Sequence, residues 1–224
     1  MKINKSLKLS LTQDWLGLFP EMGLYEPMWL ARRIGPLIQG ILLKPTQGNE
    51  SYCPTVHLHA LTRPTGFITI GLGQPLLTER TQAHDSLKLL HHEKNFHSAA
   101  LRLRRESLLP LEGDLGLDQV LKAYIEHESV GFAQNKYPIL HFESSISLLS
   151  WAGRIDEGRD FLDQCVERMR TWPDLVMASH GGPDAWGHQM LQVLGNPEDV
   201  HAIANQQAEA LDVCHLSVWQ LNIR

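Results

Sequence analysis

In the first third of the chain, apolar residues fall in short runs separated by turn residues, the pattern of strands rather than helices. Residues 38–43 form a mostly apolar run between Gly35-Pro36 and Lys44-Pro45, and residues 55–61 alternate through Val56-His57-Leu58-His59. A third run, 67–72, follows Pro64-Thr65-Gly66, where Pro fixes φ and Gly tolerates positive φ. The polar stretch 45–50 joins the first two runs. Residues 1–78 are therefore expected to be mainly strands and turns, arranged as an antiparallel meander.

From residue 79 the period becomes helical. Leu89, Phe96, Ala100 and Leu103 predict one helix over about 79–107, ended by Leu109-Pro110 and Glu112-Gly113-Asp114. Further helices are expected over about 117–132 (Leu117, Val120, Leu121, Tyr124, Ile125) and 139–152 (Ile139, Phe142, Ile146, Leu149), the latter stopped by Gly153. Helical spacing continues over 155–172 to Trp172-Pro173, and over 185–194. Asn196-Pro197-Glu198-Asp199 then opens a last helix to about 213, with a cap, a proline in the first turn and acidic residues at the positive dipole end. The tail, 215–223, is rich in strand formers and can return to the N-terminal sheet.

The fold class this predicts is α+β: a small antiparallel sheet from the N-terminal third, with the C-terminal tail a candidate addition, packed against five or six helices. The expected organisation is a single domain over 1–224: mainly strands to 78, mainly helices over 79–213, and a returning strand over 214–224. No Gly/Ser linker marks a boundary. The phrase Trp151-Ala152-Gly153-Arg154-Ile155-Asp156-Glu157-Gly158-Arg159, followed by Phe161 and Leu162, resembles the turn between paired helices of tetratricopeptide-type repeats, where a small residue lets helices approach. It does not recur at the ~34-residue period of such arrays, so the resemblance implies a helical hairpin alone.

Composition narrows the class. Of 224 residues 43% are hydrophobic and 20% charged, with 17 Gly and 12 Pro, which excludes collagen, low-complexity disorder and a small disulfide scaffold. The net charge of −5 argues against general nucleic-acid binding. That average hides a split: residues 1–105 carry 13 Lys/Arg against 7 Asp/Glu, a balance of +6, and residues 106–224 carry 7 against 18, a balance of −11. Cys53, Cys165 and Cys214 show no zinc or disulfide spacing and read as free thiols in a reducing interior. Lys2, Lys5 and Lys8 precede an apolar stretch broken by Thr12, Gln13, Asp14, Pro20 and Glu21, so no signal-peptide core is expected. No window approaches the ~18 apolar residues of a membrane span, and the expected location is cytoplasmic.

Twelve histidines make metal binding the first chemistry to weigh. His57 and His59 would point to one face of a strand, as a metal-dependent hydrolase needs, with a third ligand drawn from His91-His92-Glu93, His141-Phe142-Glu143 or the 180–188 segment. No HExxH spacing supports it. The loop Ser179-His180-Gly181-Gly182-Pro183-Asp184 lacks a nucleophile-elbow pattern and reads as a turn anchored by Trp186. Arg102, Arg104 and Arg105 form a small basic cluster at a helix end.

The expected function is therefore non-enzymatic: a cytoplasmic protein-binding protein with no cofactor. An immunity protein that neutralises a basic toxin is its concrete case. Asp156, Glu157, Asp160 and Asp163 are the expected partner contacts, since the pairs Asp156/Asp160 and Asp160/Asp163 share a helix face. The alternative is a metal-dependent hydrolase using His57 and His59. Neither nucleic acid nor membrane is an expected partner.

Overall fold

The computed structural model describes residues 4–127 and 137–223. The fold is α+β, with eight α-helices and a seven-stranded, mainly antiparallel sheet among the described residues. The chain divides into two compact units. A sheet unit comprises Met1–His59, Ile68–Gly116 and Asp212–Asn222, and a helical unit comprises Ala60–Phe67, Leu117–Leu211 and Ile223–Arg224.

The sheet unit opens with a helix, α1 (Lys5–Leu18), where strands and turns are expected. Leu7-Lys8-Leu9-Ser10-Leu11 alternates as a strand would. What decides is packing: Leu11, Trp15 and Phe19, spaced by four, all enter the core, and the Asn4 side chain caps the Leu7 amide at 2.9 Å. Then follow β1 (Gly23–Glu26), β2 (Trp29–Ile34), β3 (Leu37–Pro45), β4 (Ser51–Ala60) and β5 (Gly71–Pro75), adjacent in chain order. The β2–β3 hairpin turns on Gly35-Pro36, with Gly35 at φ 53° as its first central position, a place open to glycine. The 45–50 connection lies where the sequence predicts it. The third run is displaced: 67–72 gives way to Gly71–Pro75, while Phe67 and Ile70 remain exposed.

The helix predicted over 79–107 is shorter. Its first half forms a turn closed by the Gln82 amide on the Thr78 carbonyl, then β6 (Leu87–Lys88), which pairs with Ser51 and Tyr52 of β4. Only α2 (His92–Glu106) is α-helical, because pairing to the edge of β4 captures Leu87 before helical periodicity can. A short strand β7 (Leu115–Gly116) follows. The tail does return: β8 (Val218–Trp219) joins β2 in parallel, and β9 (Leu221–Asn222) joins β7.

Trp15, Phe19, Leu30, Ile41, Tyr52 and Leu103 form the main core of this unit. Arg32, fully buried, organises a second region. It donates to Gln39 Oε1 at 2.9 Å, Glu21 Oε2 at 2.6 Å, and the carbonyls of Gly113 at 2.8 Å and Pro110 at 3.1 Å, tying residues 110–113 to the sheet. Burial lowers the Arg32 pKa, and Glu21 opposes that shift.

The helical unit contains α3 (Leu117–His127), α4 (Ile139–Trp151), α5 (Ile155–Met169), α6 (Asp174–Met177), α7 (Pro183–Leu194) and α8 (Pro197–Ala210). These match the predicted helices, except that no element is expected at α6 and residues 128–132 of the second predicted helix, over 117–132, lie outside the described residues. Helices α4 and α5 form the expected hairpin. Gly153, at φ 72°, accepts the left-handed cap, and the Arg154 amide reaches back to the Leu149 carbonyl at 2.9 Å. Phe142, Ile146, Leu162, Met169, Trp186 and Leu194 are central to the core. A Cβ on Gly158 of α5 would lie 2.3 Å from Leu194 Cδ1, so the small residue of the hairpin phrase admits α7 rather than α4. Ser150 closes the other side, donating to the last carbonyls of α7, Val193 and Leu194, at 3.0 Å. Among the described residues no helix is long and apolar enough to cross a membrane. Cys53 and Cys165 are buried, Cys214 is exposed, and none of the three is in a disulfide.

Candidate functional site

Helix α5 places the four expected contact residues. Gly158, Leu162, Cys165 and Met169 face the core at helical spacing, which turns Asp156, Glu157, Asp160 and Asp163 outward, and all four are exposed. At 100° per residue Asp156, Asp160 and Asp163 lie within about 60° of one another. Glu157 stands apart in angle and in bonding: Arg154 donates to it through Nε at 2.7 Å and also binds Asp118. No ion pair joins Asp156, Asp160 or Asp163 to a cation among the described residues. Asp156 and Glu157 also sit in the first turn, where the helix dipole favours negative charge.

The charge split along the sequence maps onto the units in reduced form. The helical unit holds 14 acidic against 8 basic residues, a balance of −6, and the sheet unit 11 against 12, a balance of +1. The −11 of residues 106–224 shrinks because several of those carboxylates, Glu106, Glu112 and Asp114 among them, belong to the sheet unit, while Arg63 belongs to the helical one.

Two clefts flank α5 inside the helical unit. One, of about 330 Å³, lies against α3 and α4, floored by Leu121, Leu149 and Phe161 and rimmed by Glu157 and Asp160. The other, of about 540 Å³, lies against α7, with Leu162, Val166 and Leu191 below Arg159, Asp163 and His188. Sequence reasoning named the carboxylates and missed the clefts. A signal for the first was present: Ile125 belongs to the predicted apolar stripe of α3 yet is 57% exposed and lines that cleft. An apolar stripe wider than its helix can bury leaves such a surface.

The structure gives His57 and His59 different work from that of metal ligands. Strand β4 is buried along almost its whole length, so the face that carries both rings is interior. Trp29 Nε1 donates to His57 Nε2 at 2.6 Å, the rings meeting edge to face, and Gly40 leaves the room: a Cβ there would lie 2.3 Å from His57 Nε2. A neutral imidazole has one lone pair to give, and Trp29 occupies that of His57. Burial, with a contribution from His59, pushes the His57 pKa down to about 3. His59 Nδ1 accepts from the Thr69 amide at 3.1 Å. Among the described residues no three His, Cys, Asp or Glu side chains gather as a metal site. Of the suggested third ligands, His92 is bonded to Tyr52 and Asp14, and Glu143 pairs with Arg63 and accepts from Trp186 Nε1 at 3.2 Å.

In the 179–184 segment the turn is confined to Gly181 at φ 73° and Gly182 at φ 94°, between a 3-10 turn over Ala178–His180 and the start of α7, whose Trp186 is fully buried; Asp184 lies in the first turn of α7 and does not cap it. Asp184 pairs with Arg170 at 2.7 Å. The basic cluster on α2 is engaged: Arg102 with Asp85, Arg105 with Glu106, and Arg104 with Glu112 and the Leu18 carbonyl that ends α1. No family model, curated protein or solved structure matches the chain.

Proposed function

We propose that this chain is a non-enzymatic binding protein whose helical unit holds a basic protein partner on α5. The observation that carries the reading is the stripe of Asp156, Asp160 and Asp163, three exposed carboxylates without a cationic partner among the described residues, on a unit with a balance of −6. Ionic groups arranged this way attract an oppositely charged surface over about a Debye length and raise the rate of encounter. The apolar floors beside α5 then offer places for anchoring side chains, which carry most of the energy of a typical interface. Neutralising a basic toxin by occupying it, as an immunity protein does, is the specific form of this reading.

The test is co-purification from the native host with the wild-type chain and with the Asp156→Lys, Asp160→Lys and Asp163→Lys triple variant. The wild type is expected to retain a basic protein and the variant to lose it, with an association rate that falls as salt is raised. If the retained protein is a toxin, co-expression of the wild type, and not of the variant, rescues growth. A complex indifferent to the triple reversal sinks the proposal.

A further inference from the structure

Four side chains of the sheet unit form a continuous hydrogen-bonded chain for which partner binding has no use. Trp15 Nε1 donates to Tyr52 Oη at 3.0 Å, Tyr52 Oη lies 2.7 Å from His92 Nδ1, and His92 Nε2 lies 3.1 Å from Asp14 Oδ2. Trp15 and Tyr52 are fully buried and His92 nearly so, while the Asp14 side chain is 43% exposed. The chain joins three elements: α1 supplies Asp14 and Trp15, β4 supplies Tyr52, and α2 supplies His92.

Valence fixes where the protons sit. An indole N–H only donates, so it takes one lone pair of the Tyr52 oxygen. Tyr52 has a single proton and no solvent, and the acceptor it meets is His92 Nδ1. A neutral imidazole that accepts at Nδ1 carries its own proton on Nε2, which points at the Asp14 carboxylate. A second proton on His92 breaks this order. Its Nδ1–H would then face Tyr52 Oη, and the tyrosine proton would be left without an acceptor in the core. Lifting α1 uncovers Tyr52, and water supplies that acceptor.

We infer that the Trp15–Tyr52–His92–Asp14 chain is a proton-sensitive clamp on α1, closed while His92 is neutral and loosened when His92 takes up a proton. The charged groups that act on His92 are Asp14 from α1 and, on α2 itself, Glu93 and His97. Tyr52 from β4 and Phe96, stacked on the ring at 4.6 Å, are uncharged neighbours. Burial has the largest influence and lowers the His92 pKa below the ordinary 6.5; Asp14 and Glu93 oppose that shift, and His97 adds to it. The open form takes up protons more readily than the closed one. Docking of α1 is therefore complete above about pH 6.5 and weakens as pH falls below it.

Hydrogen exchange on the full chain tests this. Protection factors of the α1 amides, divided by those of the β3 amides to remove any global loss of stability, are followed from about pH 7.5 to 5. In the wild type the ratio is expected to fall about tenfold, and in His92→Gln to stay flat. In parallel, NMR titration of the His92 ring reads the chain directly. Tyr52→Phe removes the donor that favours the neutral ring and moves the titration up; Asp14→Asn removes the charge that favours the imidazolium and moves it down. Each change is expected to be about threefold or more in the ionisation constant. Asp14→Asn, at a half-exposed position, provides the readout should Tyr52→Phe fail to fold. A flat ratio in the wild type, an equal fall in His92→Gln, or a titration that does not respond to these replacements overturns the clamp.

Discussion

In the sheet unit, three buried polar side chains spend bonding capacity on partners within that unit: Arg32 on Glu21, Gln39 and two carbonyls, His57 through Nε2 on Trp29, and His92 on Tyr52 and Asp14. Along α5 of the helical unit, Asp156, Asp160 and Asp163 end in solvent. The contrast teaches that the chemical promise of a residue depends on whether its hydrogen-bonding and charge capacity is already used. A histidine pair on a strand looks reactive by type and is occupied; a row of aspartates looks like ordinary solubility and is open. If the contrast is physical, disturbing the occupied groups must cost stability, and disturbing the open ones must cost almost none.

The largest effect is expected from acid. Burial pushes the pKa of His57 in the sheet unit down from 6.5 to about 3 and that of His141 in the helical unit down to about 4. The unfolded chain therefore binds protons at these positions before the folded one does. Stability is full above about pH 6.5 and is lost as pH falls toward the folded values. The loss attached to His57 alone is on the order of 5 kcal/mol. Urea denaturation between pH 7 and 3 measures it, and His57→Gln should flatten the part that belongs to the sheet unit. An unchanged slope in that variant would mean that His57 is not buried neutral.

Arg32→Met comes next. It leaves Glu21 without its buried cation and the Gly113 carbonyl without a donor, while the Pro110 carbonyl keeps only the Gln39 amide, at 3.0 Å. Removing one member of a buried ion pair costs about 3–5 kcal/mol, because the other remains desolvated. A chemical melt should show this as a lower midpoint, and a loss below about 1 kcal/mol would place Arg32 among the dispensable surface charges.

The same contrast explains what was legible in the sequence. Helices α3, α5, α7 and α8 could be read because each buries one side at the helical period, and α4, buried nearly all round, because its large apolar residues keep that period; residues such as Asn196-Pro197 and Gly153 mark helix ends. Helix α1 could not, because alternating leucines around Lys8 and Ser10 imitate a strand and only the tertiary burial of Leu11, Trp15 and Phe19 decides the matter. Nor could the first half of the predicted 79–107 helix, where Leu87 pairs with Tyr52 of a strand some 35 positions away. At the candidate site the outward face of α5 followed from helical spacing, whereas its clefts depend on how α3 and α7 pack beside it. The roles of His57 and His92 depend on Trp29, Tyr52 and Asp14, all distant in sequence, and no local pattern announces them.

The smallest effect is also the sharpest test of the open side of the contrast. Asp160 has Asp156 four residues before it and Asp163 three after it on the same face. Like charges at these spacings destabilise a helix by about 0.2–0.5 kcal/mol per pair. Asp160→Asn should therefore leave the folded protein unchanged or raise its stability by a few tenths of a kcal/mol. Asp156→Asn should act with the opposite sign, since Asp156 lies in the first turn, where a carboxylate gains about 0.3–1 kcal/mol from the helix dipole. Paired urea melts at low ionic strength resolve the two signs, and added salt should shrink both. A loss above about 1 kcal/mol for Asp160→Asn would show that its carboxylate holds the fold together. The stripe on α5 would then be as occupied as Arg32, and the free charge on which partner binding depends would be gone.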